Sequence, residues 1–282
     1  MTADTVSHTP PPVSPPCRIG CVSYLNSKPL IEPLADQPGV LVDFAVPSAL
    51  LELLTTGRVD AALLPIVDYQ ASPMDLLLVP AGCIGCHGHT LTVRIFSRVP
   101  PTEITHLFAD TDSHTSVILG QVILREFYNC SPEVLAIPEA PRRTTWDDME
   151  AVLLIGDKVI NAAPPPGHYP WQLDLGDQWA KHTGLPFVFA MWMMPANRPN
   201  LALAKLLADA RKKGDTITDE LVARYAAARC WPPDLLYRYY RHYLDYQVKP
   251  ASRQGIEKFY QLAEAHKLMK LTRTIRYLDM IL

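Results

Sequence analysis

The sequence predicts an α/β protein in which two sheet-based lobes enclose a ligand cleft. Three observations predict it. Short apolar runs alternate with amphipathic segments from Arg18 onward. The apolar run 19–22 breaks abruptly into Ser23-Tyr24-Leu25-Asn26, and a proline pair, Pro100-Pro101, separates two such series. Alternation of this kind describes parallel or mixed sheets covered by helices. Open sheets of that type bind ligands at the carboxyl ends of their strands, where backbone N–H groups and short polar side chains are unpaired.

The Pro-rich residues 1–16 lack the apolar content for a packed element and are expected as a tail outside the fold. Residues 19–22 form the first strand and deliver Ser23 and Asn26 to its end, either as ligand contacts or as turn formers. Residues 40–46 read as the second strand. Ser48 is the expected N-cap of a helix over 49–56 that stops at Gly57. Residues 61–66 form an apolar strand ending at Pro65-Ile66. Strands at 76–79 and 91–96 flank residues 80–89, read as a loop whose three glycines let its backbone approach a ligand. After Pro100-Pro101, residues 106–109, 134–137 and 152–155 read as strands. Residues 117–127 form a helix preceded by Ser113, Thr115 and Ser116. Residues 187–194 return the chain to the first unit, and helices at 201–213, 217–229, 233–246 and 253–270 form a C-terminal cap. The expected organisation is therefore a tail at 1–16, a first lobe from 17–103 plus 190–282, and a second lobe from 104–189.

At 282 residues, 48% of them hydrophobic, the chain is long enough for one large or two modest cores. A formal charge of −3, from 26 basic and 29 acidic residues, leaves no basic surface for nucleic acid. No apolar stretch reaches the roughly 18 residues of a membrane helix, and no secretory signal opens the chain, so no membrane partner and a cytoplasmic location are expected. The six cysteines then read as reduced thiols, most of them small core residues.

Hydroxyl-bearing helix N-termini carry unpaired N–H groups and roughly half a unit of positive charge, which suits small anions. Ser48 and the Ser113, Thr115, Ser116 group therefore either bind a carboxylate or only cap their helices. Asp157 closes an apolar strand and is either a site carboxylate or a turn residue. Cys83-Ile84-Gly85-Cys86-His87 matches the spacing of covalent haem attachment. Without an export signal or a second Cys/His cluster, however, it reads as a cleft loop, and no metal is expected. The tyrosines between 237 and 246 read as packing.

Beyond Ser23-Tyr24-Leu25-Asn26, further blocks occur in order: Pro47-Ser48, Leu53-Leu54, Gly57-Arg58-Val59-Asp60; Cys83-Ile84; Thr115-Ser116; Leu154-Ile155-Gly156-Asp157. Then come Asp174-Leu175-Gly176, Trp179, and Thr183-Gly184-Leu185-Pro186-Phe187-Val188-Phe189-Ala190, with a weaker echo from Gly255 to Phe259. In combination they resemble the chorismate dehydratases of the futalosine route to menaquinone. The resemblance implies the two-lobed fold of type II periplasmic binding proteins and a lyase acting on a small dicarboxylate substrate. It implies no cofactor, since elimination with aromatisation needs no redox partner. It further implies Asn26 and Asp157 as catalytic residues, and Ser23, Ser48, Pro65, Cys86, Ser113, Thr115 and Ser116 as substrate-binding. The chain departs from the family after Cys83, where Cys86, His87 and Thr92 stand in place of small hydroxyl residues. Two other readings remain open: the sister enzyme that cyclises dehypoxanthine futalosine, and a non-catalytic organic-acid binder of the same fold. Oligomeric state is not legible in the sequence.

Overall fold

The computed structural model describes residues 16–35, 37–110, 113–138, 146–165 and 167–279. The expected tail, apart from its last residue, lies outside them. Among the described residues, ten strands fall into two five-stranded sheets. The first sheet takes β1 (Cys17–Cys21), β2 (Val40–Phe44), β3 (Ala61–Pro65) and β4 (Leu76–Cys86). The second takes β5 (Val93–Ser97), β6 (His106–Ala109), β7 (Glu133–Ala136), β8 (Ala151–Ile155) and β9 (Trp171–Asp174). The last strand, β10 (Phe187–Pro195), returns to the first sheet between β3 and β4, so the orders are β2-β1-β3-β10-β4 and β7-β6-β8-β5-β9. Strands β1, β2 and β3 run parallel while β10 is antiparallel to both its neighbours; in the second sheet β5 is the antiparallel member between β8 and β9.

The helices are α1 (Lys28–Ala35), α2 (Pro47–Thr55), α3 (Asp68–Ala71), α4 (His114–Tyr128), α5 (Lys158–Asn161) and α6 (Leu175–Thr183). The C-terminal part adds α7 (Leu201–Gly214), α8 (Thr218–Tyr225), α9 (Pro233–Arg238) and α10 (Pro250–Ala265). The apolar runs of β3, β4 and β10 are buried almost throughout, whereas β2, at the sheet edge, leaves Leu41 and Phe44 exposed. One continuous core, including Ile19, Leu64, Ile95, Leu153 and Trp192, joins the two sheets.

Four local expectations are corrected. Residues 80–86 are not part of a loop: β4 runs through to Cys86 as one eleven-residue strand, and only 87–89 of the expected loop lie beyond it. Its glycines are thin places in a packed strand. A Cβ on Gly85 would lie 2.7 Å from the Phe187 carbonyl oxygen, and one on Gly82 would lie 3.0 Å from Leu30. The exposed edge of β4 is closed by Asp245, which exchanges backbone hydrogen bonds with Gly85 at 3.0 and 2.8 Å. Second, Val46 rather than Ser48 holds the cap position of α2, because Pro47 takes the first helical turn and puts Ser48 inside it. Third, β5 pairs in the second sheet, so the chain crosses between sheets from Cys86 to Val93, ahead of Pro100-Pro101. Fourth, the helix expected over 233–246 ends at Arg238 and continues as a π turn, Tyr239–Tyr243.

The crossing is held by Asp174. This buried carboxylate accepts backbone N–H groups from Thr90 (2.9 Å) and Leu91 (2.8 Å) in the crossing, and from Gly176 (3.1 Å) and Asp177 (3.2 Å) at the start of α6. Leu91 adopts φ +68°, a left-handed backbone that a side-chain-bearing residue holds only when its surroundings impose it. Asp174→Ala leaves these donors buried without an acceptor. It is expected to destabilise the fold by about 2–3 kcal/mol in urea unfolding; a loss below about 1 kcal/mol would show that the crossing does not depend on this tie.

Candidate functional site

The strand ends converge on one cleft. Past β1 the chain makes a 3-10 turn over Leu25–Ser27, locked by the Ser27 hydroxyl against the carbonyl oxygens of Val22 and Tyr24, both at 2.8 Å. That turn presents Asn26, whose side-chain oxygen is buried and has no hydrogen-bond partner among the described residues. An unpaired buried acceptor is costly, and this one belongs to a residue that lines the cleft. Opposite it, β8 ends at Ile155, and Gly156, with φ +63°, turns the chain into Asp157 at the start of α5. Asp157 holds the cap position of that short helix without its side chain capping it.

Two adjoining compartments result, of about 140 and 70 Å³, sharing Tyr24, Asn26, Ser113 and Ile155 as common walls. The larger carries the charged side chains, Asp110, Asp157, Lys158 and Arg229. The smaller is mostly apolar, walled by Val22, Leu63, Pro65, Ile84 and Phe189. An apolar slot beside a charged chamber suits a planar ring bearing carboxylates.

Charge in the larger compartment is arranged in pairs. Lys158 Nζ lies 2.7 Å from Asp110 Oδ2, and an Arg229 guanidinium nitrogen lies 3.8 Å from Asp157 Oδ2. Arg229 also donates to the Ser23 carbonyl oxygen at 3.1 Å, and its own carbonyl accepts from Asn161 Nδ2 at 2.9 Å. The guanidinium thus spans from the end of β1 to the turn after β8. Burial pushes the Asp157 carboxyl up from its ordinary value, with Arg229 and the nearby Trp231 indole pulling the other way.

Of the residues expected from the sequence, Asn26, Asp157, Ser113 and Pro65 line the cleft. Ser113 also caps α4, accepting the Ser116 N–H at 3.3 Å and donating to the Ser116 hydroxyl at 2.9 Å. Ser116 and Thr115 are buried in the first turn behind it and do not line the cleft; the Thr115 hydroxyl has no partner among the described residues. Ser23 is exposed and meets the site only through its carbonyl oxygen. The Ser48 side chain lies outside the described residues, and its neighbour Pro47 lines the apolar compartment. Cys86 is placed elsewhere. It is buried in β4 so close to α6 that a Cβ on Gly176 would lie 2.6 Å from its sulfur, and burial holds its thiol far above the ordinary range. Cys83 is buried likewise, its thiol 3.6 Å from the Asp245 and Gln247 carbonyl oxygens.

Sequence reasoning missed Tyr24, Asp110, Lys158 and Arg229. Tyr24 and Lys158 adjoin expected residues, and Asp110 ends a strand as Asp157 nearly does. Arg229 carries no local signal, since it sits in a helical stretch 72 positions after Asp157 in the chain. Two cations, Lys158 and Arg229, thus line the cleft beside the Ser113 end of α4.

Residues 17–265 match the family described as "Menaquinone biosynthesis". The chain belongs to this menaquinone biosynthesis family. A curated relative, chorismate dehydratase of Thermus thermophilus, is 30% identical over 263 residues, covering 86% of this chain and 94% of the relative. Among solved structures, the periplasmic aliphatic sulphonate binding protein SsuA of Escherichia coli superposes with a TM-score of 0.66 at 18% identity, covering 94% of each chain. Protein AF1704 of Archaeoglobus fulgidus gives the same score at 12% identity, covering 89% of this chain and 98% of its own. At such identities the likeness shows the fold, and this member of the menaquinone biosynthesis family has the two-sheet architecture of periplasmic binding proteins. None of the helices among its described residues is long and apolar enough to cross a membrane.

Proposed function

We propose that this protein removes water from chorismate to give 3-[(1-carboxyvinyl)oxy]benzoate. The observation that carries the reading is the pairing, across one ring-sized cleft, of an unpartnered Asn26 amide oxygen with a carboxylate, Asp157, that burial makes more basic. The relative named chorismate dehydratase supports the choice of substrate.

In the proposed reaction the ring lies in the apolar compartment and its carboxylates meet Arg229 and the Ser113 end of α4. The proton on ring C3 is vinylogous to the ring carboxylate. Fixed donors on that carboxylate spread the negative charge that develops as the C3–H bond breaks. The electron pair moves into the ring, the C4–O bond breaks, and the departing hydroxide leaves as water with a proton. Aromaticity supplies the drive. The base is either Asp157 or the substrate's own enolpyruvyl carboxylate, with the Asn26 amide orienting the substrate.

Incubating the purified protein with chorismate alone should produce, by mass spectrometry, a compound lighter by one water. Recovery of intact chorismate would sink the reading and turn attention to the futalosine-derived cyclase substrate, then to simple binding. Asn26→Ala is expected to lower kcat at least tenfold at saturating chorismate; unchanged turnover would remove the orienting role.

A further inference from the structure

The two sheet-based units are tied beside the cleft by an ion pair. Asp68 opens α3, just after β3 of the first sheet, and His114 opens α4, which follows β6 of the second. His114 Nδ1 lies 3.2 Å from Asp68 Oδ1. Asp68 is 4% exposed, and His114 is the one hydrogen-bonding partner of its carboxylate among the described residues. A carboxylate withdrawn from water needs a compensating partner. Nothing in α4 itself favours a cation at position 114, because the dipole of a helix opposes positive charge in its first turn. The partner from the other unit does favour it: the hydrogen bond to Asp68 holds the His114 imidazole above its ordinary value, against the opposing effect of burial.

His114 directly follows Ser113, the residue of this helix end that both cleft compartments share. The Ser113 hydroxyl is engaged within α4, accepting the Ser116 N–H and donating to the Ser116 hydroxyl. An entering carboxylate therefore depends on the backbone N–H groups at the start of the helix, which have no acceptor within it, and on the charge around them. We infer that the His114–Asp68 pair is a positioning clasp: it fixes the first turn of α4 against the first-sheet unit and places a positive charge beside Ser113, so that this end of the cleft holds a carboxylate more tightly while the imidazole is protonated. This rests on reading the cleft as a carboxylate site and is independent of which group acts as base. The other titratable groups around the pair are the phenols of Tyr69 on α3 and Tyr260 on α10, both raised by burial and neutral below their ordinary range. Asp110, just before α4 in the chain, is paired with Lys158.

Isophthalate, a planar ring with two carboxylates and no hydroxyl to lose, probes the site without reacting. Its calorimetric Kd for the wild-type protein should rise about tenfold from about pH 6 to about pH 9, as His114 gives up its proton. His114→Gln keeps a donor for Asp68 and cannot titrate, so its Kd should change by less than about threefold over the same range. Asp157 titrates alike in both proteins, and the difference between them reads His114. A contact that served only to hold the fold would leave the wild-type slope in the variant, and that result overturns the inference. So does a flat wild-type Kd, or no binding of isophthalate at either pH. If His114→Gln does not fold, Asp68→Asn keeps the shape of the acceptor and removes its charge; the midpoint of the Kd rise should then move down by about one pH unit, and an unmoved midpoint overturns the clasp. A pH-dependent affinity in a protein that leaves chorismate intact would overturn the dehydratase reading and keep the clasp.

Discussion

Asp157→Asn should lower kcat for chorismate dehydration by about 10²–10⁴-fold, the usual worth of a positioned general base. The substitution keeps shape and removes basicity. Burial raises the Asp157 carboxyl, so in the wild type the rate should climb as pH rises through that raised value and flatten above it. Stability runs the other way. A carboxyl whose folded value is raised contributes stability that is full below its unfolded value and lost as pH rises through the folded one. The Asn variant should therefore be at least as stable as the wild type at neutral pH, and a rate loss could not be ascribed to unfolding. A kcat within about threefold of wild type would exclude Asp157 as base and leave the substrate's enolpyruvyl carboxylate in that role.

Gly255→Ala should cost about 3–4 kcal/mol of folding stability, near the upper end for overpacking. Gly255 lies inside α10, where Ala is the better helix former by about 1 kcal/mol, so propensity alone predicts a gain. Packing decides the sign. A Cβ at 255 would lie 2.1 Å from the Pro186 carbonyl oxygen, which is backbone and already accepts the Trp179 indole N–H at 3.2 Å. Neither partner yields without moving the start of β10 or the α6 anchor. Gly214→Ala meets the Pro29 carbonyl oxygen at 1.9 Å and should behave alike. Urea midpoints measure both, and an Ala variant as stable as the wild type would show that α10 shifts freely against β10.

The Gly255 result bears on what family resemblance means at each position. The echo from Gly255 to Phe259 marks close packing of helix on strand, whereas Ser23-Tyr24-Leu25-Asn26 and Leu154-Ile155-Gly156-Asp157 mark strand ends at the cleft. Sequence pattern alone does not separate these cases, because both produce a small residue flanked by apolar ones. The same ambiguity turned Gly82 and Gly85 into a supposed loop. Both lie in β4, where the backbones of Phe187 and Asp245 come close to Gly85 and the side chains of Leu30 and Trp192 close to Gly82.

Local pattern is written in the chain itself. Apolar runs such as Ala61–Pro65 specify buried strands, amphipathic stretches specify their covering helices, and abrupt polar breaks after Val22 and Ile155 specify where cleft-lining groups emerge. Which of those groups share a space emerges only on folding. β5 joins the second sheet because its hydrogen-bond partners include Ile155 and Asp174, both far along the chain. Arg229 reaches Asp157 only because the C-terminal helices fold back over the strand ends. A hydrophobic period records which face of an element is buried. The partner across the cleft is chosen by long-range packing, which leaves no periodic trace in the chain.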